Sequence, residues 1–163
     1  MERYERLKRR LVGVRGAYLL YFKLEKEYND IVGSLGRVRL QPGYYVYIGS
    51  GLGVNGIWNR VKRHLDKKKE KKHWHIDYLS VNKYFKPIKI IVIETVESLE
   101  EKIALLLLED KHYAIAYPRF GSTDRKSPAH LFRIVNDNVD KVINYTVKIL
   151  EEKLGKPAHL ISI

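Results

Sequence analysis

The sequence contains no cysteine and a single methionine among its 163 residues. Without thiols it can form neither a disulfide nor a thiolate zinc site, which excludes a disulfide-stapled scaffold and a zinc finger. No apolar run approaches the roughly 20 residues that span a bilayer. The charged start MERYERLKRR is followed by no apolar segment, so no secretory signal is expected, and a cytoplasmic location without membrane contact is. Acidic residues are also scarce: 19 stand against 31 basic ones, leaving +12 and a pI near 9.7. Such a field draws polyanions, nucleic acid before an acidic membrane surface. A heat-adapted composition would account for abundant lysine, but glutamate should then rise with it, so the imbalance points to a partner. The glycines of GSGLGVNG lack the third glycine of a dinucleotide fingerprint, and no acidic residue follows a second strand to hold a ribose.

What is present is enough apolar material, 45% of the chain, for one well-filled domain. The segment Gly43–His64 organises it. Tyr44, Tyr45, Val46, Tyr47 and Ile48 predict a strand, Gly49, Ser50, Gly51 and Gly53 a turn, and Asn55 the cap of a helix with Ile57, Val61 and Leu65 on its buried side. That helix puts Arg60 and His64 four residues apart, on one face. Earlier, residues 1–10 predict a basic arm or short helix. GAYLLYFKL reads as the first strand, residues 29–33 as a turn, and residues 35–40 as a short strand with Arg37 and Arg39 on one face. Later, DKKKEKKH reads as a lysine-rich loop, HWHIDYLS as a strand or, preferably, a helix with Trp74 and Tyr78 on its apolar stripe, and PIKIIVIETV as a buried strand opened by Pro87. Ser98 with Glu101 predicts a capping box for a nearly all-apolar helix. RFGSTDRKSPAHLF reads as loop, and Asp137 or Asn138 as the cap of a last helix closed by Gly155. This order, strands interleaved irregularly with helices, predicts an α+β fold with short hairpins and no Rossmann alternation.

Gly16-Ala17-Tyr18 and Tyr47-Ile48-Gly49 resemble the two half-motifs of the GIY-YIG nuclease superfamily, and Arg60 and His64 match the arginine and histidine of its next helix. The blocks GAY, GYYVYIGSG, RVKRHL, KHWHIDYL, FGSTD and AHLF, spread over residues 13–135, resemble the prokaryotic DUF123 branch, also called Uri-type endonuclease-like proteins. The resemblance implies a GIY-YIG-like small antiparallel or mixed sheet, three-stranded at heart and flanked by helices. Residues 1–12 would be a basic arm, 13–135 the nuclease domain, and 136–163 a helical extension packed on it. It also implies a metal-dependent endonuclease: a tyrosine of the pair Tyr18 and Tyr47 activates water directly or through His64, Arg60 steadies the phosphate charge, and a glutamate holds one Mg²⁺ or Mn²⁺. Counting back from Pro118 makes Glu109 that glutamate, whereas anchoring on the helix start makes it Glu100 or Glu101; Glu109 is preferred. The superfamily's asparagine is missing, with Gly121 in its place.

The chemistry of these residue types agrees with that role. A phenol with a pKa near 10 needs a cation beside it to act as a base, a planar guanidinium meets phosphate oxygens two at a time, and a carboxylate-held Mg²⁺ keeps most of its water. The expected partner is nucleic acid, the resemblance implies DNA ahead of RNA, and Lys62, Arg63, Lys67, Lys68, Lys69, Lys71 and Lys72 are the expected phosphate contacts. His73, His75 and Asp77, with Asp124 and His130 from the later loop, form a possible second half of the site. Trp58 and Trp74 are expected to pack, with base stacking the rarer use. Two other readings stand beside the nuclease: a non-catalytic nucleic-acid-binding module on the same fold, motivated by the missing asparagine, and a His/Asp metal site with other hydrolytic chemistry.

Overall fold

The computed structural model describes residues 2–122 and 127–163. At its centre is β1 (Gly16–Leu24), buried at every position except Lys23, and a strand with two buried faces requires a layer on each side. β1 pairs antiparallel with β4 (Gly43–Gly51) and with β5 (Phe85–Glu94). β6 (Tyr113–Ile115), β7 (Leu131–Ile134) and β8 (His159–Ser162) extend these into one antiparallel sheet in the order β6-β7-β4-β1-β5-β8. β2 (Tyr28–Ile31) and β3 (Arg37–Leu40) form a separate hairpin. Helices α1 (Glu2–Leu11), α2 (Gly56–Leu65), α3 (His75–Ser80), α4 (Glu100–Leu108) and α5 (Val139–Leu154) complete an α+β architecture.

The pleat of β1 sorts the core. Tyr18, Leu20 and Phe22, with Tyr45, Tyr47 and Val92, meet Leu7, Leu11, Ile57, Val61, Ile76 and Leu79 of α1, α2 and α3. Ala17, Leu19 and Tyr21, with Val46, Ile48, Ile91 and Ile93, meet Ile103 and Leu107 of α4 and Val142, Ile143 and Leu150 of α5. Each such Leu or Ile taken out of water contributes about 1.5–3 kcal/mol, which is why the basic N-terminus is a docked helix: α1 buries Leu7 and Leu11 and sets Tyr4 edge-on against Trp58, ring centres 5.1 Å apart.

Several expectations are corrected. The sheet has six strands where three were implied, because the short runs at residues 113–115, 131–134 and 159–162 find strand partners that no local pattern announces. Residues 29–31 belong to β2, and the turn falls at the 3-10 helix Gly33–Leu35. β5 begins at Phe85, and Pro87, which has no N–H to give, sits beside the register slip that leaves Ile88 unmatched. Asn55 precedes α2 without a side-chain cap; the backbone N–H of Ile57 donates to the Val14 carbonyl at 2.8 Å. Ser98 caps nothing either, since α4 starts one residue later, after Leu99. Asn138 and Gly155 do bound α5, the first accepting from the Lys141 N–H, the second in the left-handed region. Residues 136–163 supply both the expected helix and an edge strand, β8, paired with β5.

Candidate active site

Tyr18 and Tyr47 lie on the same face of adjacent strands, Tyr18 opposite Gly49 and Tyr47 opposite Leu20. Gly49 is what lets the Tyr18 ring lie across its neighbour, because a Cβ there would come 2.4 Å from the phenol oxygen. The turn into α2 is as tight. Gly56 adopts φ 62, and a Cβ on it would meet the Val14 carbonyl at 2.3 Å. α2 therefore starts close under the strand ends, and its inner face delivers His64 between the two phenols.

The Tyr18 hydroxyl and His64 Nε2 are 2.6 Å apart, and the Tyr47 ring meets the same imidazole edge-on at 5.8 Å. Burial drives each group away from its charged form. It lowers the His64 pKa to about 3, helped by the nearby Arg60 charge. It raises the Tyr18 phenol far above its usual range and Tyr47 to about 12, in both cases against the pull of Arg60. His64 is thus neutral at physiological pH, and its Nδ1 is buried without a hydrogen-bond partner.

One turn before His64, Arg60 is fixed from two sides. Its Nη1 donates to the Ser50 carbonyl at 2.9 Å, and its guanidinium lies 3.9 Å from the centre of the Trp74 ring. Its Nε has no partner. Trp74 thus serves the arginine, and Trp58 is core packing against α1. The Ser50 hydroxyl donates to a carboxylate oxygen of Glu100, the first residue of α4. Both Tyr18 and Tyr47 feel that carboxylate as a charge that disfavours ionisation.

Glu100 is accordingly the carboxylate beside the phenols. Glu109, the preferred metal residue from the sequence, is the residue just past the far end of α4, roughly 13 Å along the axis at 1.5 Å per residue. Glu101 turns to the next loop, accepting from the Ser127 N–H at 2.5 Å and lying 3.2 Å from His130 Nε2. Its carboxyl is pushed up by burial but, on balance, held below the ordinary carboxylate range by those contacts.

The His/Asp cluster is not assembled. His73 is exposed, and His75 Nδ1 accepts from the Gly121 N–H at 2.8 Å. Asp77 is fully buried and accepts from Arg63 at 3.0 Å and from the backbone N–H groups of His73 and Trp74. Burial alone would raise the Asp77 carboxyl, yet those donors hold it below its ordinary value. Asp77 is a helix-start cap with a counter-ion, and this is why Asp77 rather than Trp74 or Tyr78 lies on the most buried side of α3. Among the described residues no group of three or more His, Asp or Glu side chains is arranged to hold a metal ion. Asp124 lies outside the described residues.

The expected phosphate contacts divide. Lys62, Lys68, Lys71 and Lys72 are exposed. Lys67 Nζ donates to the carbonyls of Ser80, Asn82 and Phe85 at 2.8–2.9 Å, closing the end of α3, and burial lowers its pKa to about 8. Lys69 is buried on the Ser80 hydroxyl, and Arg63 is spent on Asp77 and the Lys71 carbonyl. Ser50 and Trp74 escaped sequence reasoning as site residues; the available signal was Ser50 following Tyr-Ile-Gly directly. No helix among the described residues is long and apolar enough to cross a membrane.

The family model described as "Domain of unknown function DUF123" matches residues 17–152 of the chain, a span that holds every residue of this site. No curated protein and no solved structure matches it.

Proposed function

We propose that this chain, which belongs to the DUF123 family, hydrolyses phosphodiester bonds of nucleic acid, DNA in preference to RNA, at the site formed by Tyr18, Tyr47, Arg60, His64 and Glu100. One observation carries the reading: a neutral, buried imidazole bonded to one phenol and packed on a second, beside a half-buried guanidinium held in place by the Ser50 carbonyl and the Trp74 ring. Such a guanidinium suits a phosphate oxygen, and the resemblance to GIY-YIG nucleases supplies the reaction class.

Arg60 binds the phosphate and stabilises the charge that builds on its oxygens. Tyr47, in its phenolate form, accepts a proton from the attacking water; the water oxygen bonds to phosphorus, one P–O ester bond breaks, and the leaving alkoxide takes its proton from solvent. Tyr18 and His64 hold each other under the site, and Ser50 and Trp74 hold Arg60. The donor set also fits a divalent cation of modest demand. Glu100 offers one hard carboxylate, bonded to the Ser50 hydroxyl at the edge of a cleft lined by Ser50, Gly51, Asn59 and Arg60, which suits a Mg²⁺ or Mn²⁺ that keeps several waters and takes the rest of its shell from a phosphate. When bound, that ion supplies positive charge next to the reacting phosphate.

The test is nicking of supercoiled plasmid in Mg²⁺ or Mn²⁺ by the full chain. Arg60→Ala and Glu100→Gln should each lower the rate by about 10²–10³-fold, the usual cost of removing one transition-state charge contact. Nicking that survives both changes in folded protein would overturn the assignment. A binding-only role is the second reading, favoured by the near-complete burial of both phenols, 0% and 3% exposed. It would be met by salt-sensitive DNA binding with no cleavage by the wild-type chain.

A further inference from the structure

His130 lies just before β7, 1% exposed, and is held at both ends of its backbone. Its N–H donates to the Phe120 carbonyl at 2.8 Å, and its carbonyl accepts from the Ile48 N–H, inside the Tyr-Ile-Gly segment, at 2.9 Å. Beneath it Gly121 has φ 76, and a Cβ there would press on the His130 Cβ at 3.1 Å and on the Tyr47 ring at 3.3 Å. The imidazole is wedged between two successive carboxylates. Nε2 is 2.8 Å from the Ser127 hydroxyl and 3.2 Å from Glu101, and Nδ1 is 3.7 Å from Glu100 with no hydrogen bond of its own. A single cation cannot bond both nitrogens of one ring, so His130 does not join Glu100 and Glu101 as a third ligand on one ion.

We infer that His130 is a positioning residue that fixes the direction of Glu100 at the cleft, filling space that the glycine at position 121 leaves open beside Tyr47. The inference rests on the nuclease reading for its link to catalysis, but its geometry does not. Glu100 is pinned on one oxygen by Ser50 and faces the ring with the other. Glu101, held by Ser127 N–H, keeps the ring from swinging away. With the imidazole removed, two adjacent carboxylates would border a hollow the size of the ring, and Glu100 would be free to rotate out of the cleft.

Two readouts on the full chain test this: Mn²⁺ affinity by electron paramagnetic resonance without nucleic acid, and steady-state nicking with kcat and KM separated. His130→Ala should weaken Mn²⁺ binding by about 10–100-fold and lower kcat by a similar factor, with KM for DNA unchanged, the usual cost of losing a partner behind a metal ligand. His130→Gln, which keeps an N–H and most of the volume, should recover both to within a few-fold, and it is the variant to read if the alanine form does not fold. Wild-type Mn²⁺ affinity and kcat in folded His130→Ala would overturn the inference, as would a folded His130→Gln that falls as far as the alanine form is expected to, or a wild-type chain that binds no Mn²⁺. A wild-type chain that never nicks, yet loses Mn²⁺ binding with His130→Ala, sinks the nuclease reading and leaves the positioning role standing.

Discussion

Tyr18 and Tyr21 sit three residues apart on β1, both fully buried, and point to opposite faces of the sheet. On the α4/α5 face the Tyr21 hydroxyl meets that of Tyr113 at 2.7 Å, Tyr113 meets Thr146 at 2.7 Å, and Thr146 donates to the Val142 carbonyl at 2.9 Å. That chain ends on a backbone acceptor and is closed. On the α1–α3 face the Tyr18 hydroxyl meets His64, whose other nitrogen has no partner. Of the buried side-chain polar atoms without a partner among the described residues, Arg60 Nε and His64 Nδ1 belong to this site, His130 Nδ1 faces Glu100, and Ser122 is next to Gly121. Leaving such a group unpaired costs about 1–3 kcal/mol, so native cores seldom keep them without a use. The closed face leaves none of these hydroxyls without a partner. The open face carries unmet hydrogen-bonding capacity gathered at one place.

The largest expected effect breaks the simple form of that contrast, because the open face also contains one fully satisfied charged group. Asp77→Ala should cost about 3–5 kcal/mol of stability, since it strands the buried side of Arg63 and uncaps α3. Urea unfolding would measure it, and a loss under 1 kcal/mol would show that the Arg63–Asp77 pair is not holding α2 to α3. Next comes the tyrosine pair itself. Tyr113→Phe interrupts the closed chain and should cost about 1–3 kcal/mol with nicking per folded molecule unchanged. Tyr18→Phe should cost a similar amount, since it strands His64 Nε2, but should lower nicking as well. Equal activity losses in the two variants would erase the distinction between the faces.

The last comparison is in pH. The folded His64 pKa of about 3 lies below the ordinary value, so the unfolded chain binds the extra proton between those limits. Its contribution to stability is therefore complete above about pH 6.5 and is lost progressively as pH falls toward 3. His64→Gln should flatten that part of the stability–pH curve, and an unchanged slope would mean the imidazole is not sealed. For activity, Tyr47 at about 12 acting as base requires kcat/KM to climb from pH 6 to 9 with no break from histidine.

Local rules read part of this molecule well. The alternation of GAYLLYFKL and YYVYIG sorts each strand into two faces, and four-residue spacing places Arg60 and His64 together; both periodicities belong to the backbone, so distance along the chain is enough to use them, whereas the shared face of Tyr18 and Tyr47 comes from the register that sets Tyr18 opposite Gly49. The glutamate was not legible in that way. Glu100 and Glu101 open α4 and Glu109 follows its last residue, and which of them reaches the cleft depends on where α4 starts, which is set by the end of β5 and by the Ser50 hydroxyl fifty residues away. Lys67 and Lys69 read as phosphate contacts on a basic loop because their acceptors, the carbonyls and the hydroxyl around the end of α3, exist only after folding.

By itself the sequence determined the basic charge, the thiol-free chemistry, the strands of the central sheet and the pair of faces on which the aromatic and basic groups fall, because these follow from composition and from repeat lengths of two and 3.6 residues. Tertiary structure decided which carboxylate stands at the cleft, which of the cations are free to meet a phosphate, and that the outer strands β6, β7 and β8 join the sheet. Each of those depends on groups far apart in the chain arriving within hydrogen-bond distance, and an attraction that acts over about 3 Å leaves no trace in residue spacing.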